Sequence, residues 1–180
     1  MPTKGNIAIL SPQIHSKKVE CVLDLLTKGI TEIPSDIQVL VEEAILIAEK
    51  LTEKKTLCLL YLRWGYYWHR LGEYGKTKKY CTLALEIAQK SGNYQLVPYA
   101  YNNLGLLNLR TNHYHEALQY LFKALSSNIK TLNPSIYSNI GTVFFEQKNF
   151  KKALEYYQKT LESSLANDVD GFINTYINIG

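Results

Sequence analysis

A five-residue motif ending in glycine returns four times along the chain: Tyr61-Leu62-Arg63-Trp64-Gly65, Tyr101-Asn102-Asn103-Leu104-Gly105, Tyr137-Ser138-Asn139-Ile140-Gly141 and Tyr176-Ile177-Asn178-Ile179-Gly180. Successive glycines are 40, 36 and 39 residues apart. Nine residues after each of the first three stands an aromatic (Tyr74, Tyr114, Phe150), and fifteen after stands a tyrosine (Tyr80, Tyr120, Tyr156). Ala84, Ala124 and Thr160 then fill a common small column, followed by Leu85, Leu125 and Leu161. A period of this length marks supersecondary units that cannot bury an apolar face alone and must stack on one another. The chain is therefore expected to be a one-dimensional pile of units rather than a domain wrapped around one centre.

Each unit reads as two amphipathic helices around a polar turn: Leu71-Gly72-Glu73, Thr111-Asn112-His113 or Gln147-Lys148-Asn149. Residues three and four apart share a helix face, so Tyr101, Leu104 and Asn108 form one stripe and Tyr137, Ile140 and Phe144 another. The motif glycine removes a Cβ where two helices must come close, at a helix-propensity cost of about 1 kcal/mol. Asn133 before Pro134 reads as an N-cap followed by a residue whose missing N–H is harmless in a first turn. Upstream, Ser35-Asp36-Ile37-Gln38 has the form of a capping box, and Ile37, Val41, Ala44, Ile45 and Ala48 continue an apolar face. That helix is the second of an earlier unit whose first helix is expected from about Lys17 to Lys28, capped by Ser16 and stopped by Gly29. The resulting division is a flexible segment over 1–16, units over about 17–56, 57–93, 94–132 and 133–168, and the first helix of a further unit over 169–180. Gly180 falls partway through that helix, so the chain is expected to be a piece of a longer protein.

Composition narrows the function. No apolar run approaches the roughly 20 residues a spanning helix needs, and no signal peptide is evident, so a soluble cytoplasmic chain without membrane contact is expected. Cys21, Cys58 and Cys81 lack paired spacing, which argues against disulfides or zinc and for small buried thiols. The net charge of +4 is local. Residues 57–110 hold seven basic side chains (Arg63, Arg70, Lys76, Lys78, Lys79, Lys90, Arg110) against two acidic ones, while the flanking stretches nearly balance.

The motif columns resemble the tetratricopeptide repeat (TPR) family. They match best at Tyr101, Leu104, Gly105, Tyr114, Ala117, Leu121 and Ala124, and again at Tyr137, Ile140, Gly141, Phe150, Ala153, Tyr157 and Thr160. The unit at Tyr61 departs from the pattern with Thr77 and Cys81 in its second helix. Repeats of 36 to 40 residues look like the elongated ones of bacterial signalling proteins. The resemblance implies an all-α, right-handed superhelix with a concave groove lined by first helices. It also implies binding of a protein or an extended peptide, without catalysis and without cofactor or metal.

By that resemblance the column before the Leu or Ile faces the groove, and it reads Arg63, Asn103, Asn139, Asn178. Three asparagines at one repeat position suit pairing with the backbone of an extended ligand, with bonds to neighbouring helices as the lesser reading. The other groove columns are Tyr66, His69 and Arg70, then Asn102, Leu106 and Arg110, then Ser138, Thr142 and Glu146. Arg63, Arg70 and Arg110 suit a carboxylate, from an acidic side chain or a free C-terminus, or lie along the helix surface. Lys76, Lys78 and Lys79 read as a solvated outer face, with RNA contact the lesser reading.

Two further readings stay open beside the binding scaffold. One is a regulatory input domain of a larger signalling enzyme, a cyclase or kinase, or of a peptide-responsive regulator, with a catalytic domain beyond residue 180. The other is a basic RNA-binding helical repeat. Gly72-Glu73-Tyr74-Gly75-Lys76-Thr77 ends like a phosphate-binding loop but has Arg70 at the required first glycine. His113 and His115 share one turn without further ligands, which is too little for a metal.

Overall fold

The computed structural model describes residues 12–27, 36–127 and 129–164. Among them run eight α-helices: α1 (Pro12–Thr27), α2 (Ile37–Lys50), α3 (Lys54–Arg70), α4 (Tyr74–Lys90), α5 (Val97–Arg110), α6 (Tyr114–Leu125), α7 (Asn133–Glu146) and α8 (Phe150–Ser164). A short 3-10 turn, Tyr94–Leu96, leads into α5. Helices α3 and α4, α5 and α6, and α7 and α8 form hairpins, while α4 meets α5 and α6 meets α7 to join one unit to the next. This is the all-α solenoid that the 36–40-residue period predicts. Gly180 and the motif from Tyr176 lie outside the described residues, as does the expected helix over 169–180.

Every hairpin turns the same way. After α3 the chain passes through Leu71 to Gly72 at φ +75°, with Gly72 N–H donating to the His69 carbonyl and Glu73 N–H to that of Trp68. Those two bonds close a Schellman motif and satisfy carbonyls the helix end would leave open. Asn112 at φ +61° and Lys148 at φ +60° repeat it, and Thr52 at φ +56° does so between α2 and α3. A left-handed residue in the middle of each turn reverses the chain within three residues, so the two helices of a unit lie side by side.

The motif glycines sit where the helices of a hairpin touch. A Cβ on Gly65 would lie 2.8 Å from Cys81 Sγ, on Gly105 2.7 Å from Leu121 Cγ, and on Gly141 2.6 Å from Tyr157 Cε1. All three contacts involve the residue sixteen positions after the glycine, one column of the repeat. The tyrosines pair across the same hairpins: Tyr61 with Tyr80 at 5.8 Å, Tyr101 with Tyr120 at 6.1 Å and Tyr137 with Tyr156 at 6.3 Å between ring centres. An apolar core built on Val41, Leu60, Trp64 and Ala84 fills the early units, and one on Leu121, Ile136, Ile140 and Val143 the later ones. In the last described unit Phe145, Phe150 and Leu154 remain exposed, whereas Leu109, in the column of Phe145, is buried.

Several local expectations are corrected. Helix α1 begins at Pro12, so residues 12–16 are helical rather than a flexible lead, and Ser16 lies inside the helix instead of capping it. Pro12 explains the earlier start, since its fixed φ and absent N–H cost nothing at a helix's first position. Helix α2 is preceded by Asp36 at the N-cap, and Gln38 Nε2 donates to Glu42 Oε1 (2.9 Å) rather than folding back as a capping box. Helix α3 starts at Lys54, a turn ahead of the expected unit boundary. At α7 the N-cap is buried Leu132, with Asn133 the first helical residue. Cys58 and Cys81 are buried thiols, pushed up to about 11 and about 12 by desolvation, but Cys21 is exposed.

Candidate functional site: a basic pocket on the inner wall

The first helices face one side of the stack. Helix α3 packs against α5 and α5 against α7, while no comparable contact joins α4 to α6 or α6 to α8 among the described residues. Elements on the inside of a curve crowd together and those outside splay, so α3, α5 and α7 line the concave wall. Into that wall opens a pocket of about 740 Å³, lined by Tyr66, His69 and Arg70 of α3, Leu71 and Gly72 of the turn, Tyr74 of α4, Leu106 and Arg110 of α5, and Asn139 of α7. Six residues expected in the groove thus converge from three units: Tyr66, His69, Arg70, Leu106, Arg110 and Asn139. Four residues apart on α3 or α5, Tyr66 and Arg70, or Leu106 and Arg110, point the same way.

The electrostatics are one-sided. Among the described residues no acidic side chain lines the pocket, and neither Arg70 nor Arg110 has an ion-pair partner. The lysine beside the pocket differs, for Lys76 Nζ lies 3.7 Å from the centre of the Trp68 ring and 3.8 Å from Glu73 Oε2. Lys76 is therefore a lid on an indole, a cation–π contact, rather than a freely solvated charge. The aromatic wall is a row of rings, with Tyr66 and His69 stacked at 6.3 Å and His69 and Tyr74 at 6.0 Å. His69 Nδ1 is enclosed without a hydrogen-bond partner. Burial, helped by the Arg110 charge, pulls its imidazole down to about 4, so at neutral pH the ring is uncharged.

The asparagine column divides differently from the ligand-facing ladder. Asn103 Nδ2 donates to the Leu62 carbonyl of α3 (3.2 Å), and Asn139 Nδ2 donates to Asn102 Oδ1 (3.0 Å). Two of the three expected rungs therefore tie neighbouring first helices together, the alternative the amide chemistry left open. Asn102, expected in the groove, is 7% exposed and serves as acceptor in that tie. Asn139 alone of these both braces the wall and borders the pocket, while Asn178 lies outside the described residues. Arg63 is exposed on α3 away from the pocket lining. Ser138 is half-buried, its carbonyl accepting from Thr142 Oγ1 (2.9 Å), and Thr142 in turn accepts from the Tyr157 hydroxyl (3.3 Å). Neither borders the pocket.

Leu71, Gly72 and Tyr74 are lining residues that sequence reasoning passed over. Their columns predict a turn and a packing aromatic, and Tyr74 does stand at such a column, yet it remains 36% exposed with its ring against His69. The available signal was adjacency: the turn follows Arg70 directly.

Comparison with known proteins agrees with the architecture. Models described as tetratricopeptide repeat match residues 55–128 and 134–163. A search of curated protein sequences finds no match. Among solved structures, aspartyl phosphate phosphatase F from Bacillus subtilis superposes with a TM-score of 0.77 at 19% identity, over 92% of this chain. This chain spans 44% of that protein. BtubC from P. vanneervenii gives a TM-score of 0.59 at 16% identity, over 91% of this chain and 80% of its own. At such identities the likeness is one of fold. With both family matches falling on the hairpins whose glycine, tyrosine and small-residue columns shape the contacts above, the chain belongs to the tetratricopeptide repeat family.

Proposed function

We propose that this chain is a non-catalytic recognition module whose concave wall binds an extended segment of a partner protein, or a peptide, that carries a carboxylate. The observation that carries this reading is the pocket itself: it spans three units and presents two arginines that the described residues leave without an acid. A guanidinium is a planar fork of donors suited to a carboxylate, and two of them facing one cavity favour an anionic group over a neutral one. The ring row of Tyr66, His69 and Tyr74 would accommodate the apolar part of the same segment. Asn139, half committed to Asn102, retains a carbonyl oxygen for a ligand backbone N–H. Free buried thiols suit a reducing compartment, and we place the module in the cytosol.

The test is a comparative capture with the full-length protein and with an Arg70→Ala/Arg110→Ala variant. Proteins retained by the native chain should be lost from the variant, and their binding should weaken as salt rises. Equal capture by both would overturn the reading. A steep salt dependence towards RNA, removed by the same two changes, would favour nucleic acid instead.

A further inference from the structure

The pocket contains one group that the arginine pair does not account for. His69 sits between Tyr66 and Tyr74 with Nδ1 closed off from water and unpartnered, and it lines the same cavity as both guanidiniums. Around it stand Tyr66 and Arg70 from its own helix, Tyr74 from α4 and Arg110 from α5, while α7 contributes Asn139, which does not titrate. Glu73, in the adjoining turn, is paired with Lys76. The ring is therefore held in a positive, partly desolvated place with no acid to offset a charge on it.

We propose that His69 is a third ligand-binding group of this subsite, meeting the bound carboxylate beside Arg70 and Arg110 and taking up one proton from solvent as the ligand binds. The inference rests on the groove reading above and adds its regulation. Without ligand, burial and the Arg110 charge keep the imidazole neutral, with its pKa pulled down to about 4. A carboxylate entering the pocket brings the missing negative charge. An opposite charge at about 4–6 Å favours the charged form of a titratable group by roughly 1–3 pKa units, so bound His69 would titrate near about 6. Because Nδ1 is enclosed, the neutral ring keeps its proton there and the proton taken up from solvent goes to the lone pair of the open Nε2, which then donates as N–H to a carboxylate oxygen. Binding and proton uptake are then linked: whatever raises the imidazole pKa must bind more tightly as pH falls. A shift of about two units makes the ligand about tenfold tighter at pH 5 than at pH 7. An arginine-only subsite, with both groups charged throughout, shows no such dependence above the ligand's own pKa.

The experiment uses the full chain with three small probes: N-acetyl-L-phenylalanine, its amide, and N-acetyl-L-aspartic acid with its α-carboxyl amidated. Binding and the ring-proton shifts of His69 are followed by NMR at pH 5 and 7, the His69 signal being assigned with His69→Gln. The proposal expects a carboxylate probe to bind about tenfold more tightly at pH 5, to raise the His69 pKa, and to lose the pH dependence in His69→Gln. The uncharged amide should show none of this. Whichever acid binds distinguishes a free C-terminus from an acidic side chain. Equal affinity at the two pH values, with His69 titrating unchanged in the native chain, would overturn the proton linkage and leave the arginine subsite standing. Failure of both acids to bind at either pH, with Arg70→Ala/Arg110→Ala also leaving partner capture intact, would remove the groove reading itself.

Discussion

Replacing Gly105 by alanine puts two opposing effects on one atom. In an isolated helix the change stabilises by about 1 kcal/mol, because glycine has the greater backbone freedom to lose. Here the new Cβ would stand 2.7 Å from Leu121 Cγ, 2.8 Å from Leu121 Cδ2 and 3.4 Å from the Ala117 carbonyl oxygen. Ordinary carbon contacts begin near about 3.5 Å, so α5 and α6 must part or Leu121 must move by most of an ångström. Leu121 has nowhere to go, being wholly buried in the core of the later units. Overpacking of this kind costs roughly 1–3 kcal/mol, and with a fully enclosed neighbour the upper half of that range applies. Net destabilisation of about 1–2 kcal/mol is expected for Gly105→Ala. In a Leu121→Ala background, itself destabilised by about 2–5 kcal/mol through its cavity, the same substitution no longer meets the Leu121 side-chain atoms and keeps only the 3.4 Å contact to the Ala117 carbonyl oxygen. It should then stabilise by about 1 kcal/mol. Urea denaturation of the four proteins gives the cycle directly. Gly105→Ala costing the same in both backgrounds, or stabilising the native chain, would refute close helix approach as the reason for the glycine.

Three further predictions test the turns, the wall and the pocket. Thr52 is a β-branched residue at φ +56°, so Thr52→Gly should raise stability by about 1 kcal/mol while Gly72→Ala, at φ +75° with open space around it, should lower it by a similar amount; thermal denaturation compares them. Asn103→Ala removes the bond to the Leu62 carbonyl and should cost about 1 kcal/mol in chemical denaturation, whereas a ligand-facing asparagine would leave stability unchanged. Because the folded chain holds His69 at about 4, below the ordinary value of 6.5, the unfolded chain takes up that proton first as pH falls. Stability should therefore be unaffected above pH 6.5 and decline towards pH 4, by about 1–2 kcal/mol after allowance for the ring's partial exposure, and His69→Gln should flatten that part of the profile.

The repeat was legible because its columns are contact columns. A glycine, the residue sixteen positions later and a pair of tyrosines are each fixed by what lies across a hairpin, and recurrence along the chain exposes them without any coordinates. Helix starts were less legible at α1, α2 and α7. Ser16, the Ser35–Gln38 box and Asn133 all carry sound local capping chemistry, yet a terminal proline, an i,i+4 side-chain bond and a buried leucine displaced them. The groove residues lay between these cases. Which columns face the inner wall was implied by the family resemblance, and six of the residues so expected do border one pocket.

Sequence alone determined that the chain stacks paired helices, that its tyrosines and glycines serve that stacking, and that its surplus positive charge is concentrated between residues 57 and 110. Those properties follow from spacing and count, which a chain carries whether folded or not. Only the tertiary structure decided how each side chain is used. Asn103 and Asn139 occupy the same column and bond different partners, while Lys76 covers an indole and Arg70 and Arg110, forty residues apart, share one cavity. Column membership places a side chain on a helix face. What it meets there depends on the neighbouring unit, whose residues are remote in sequence and brought near only by the curvature of the stack.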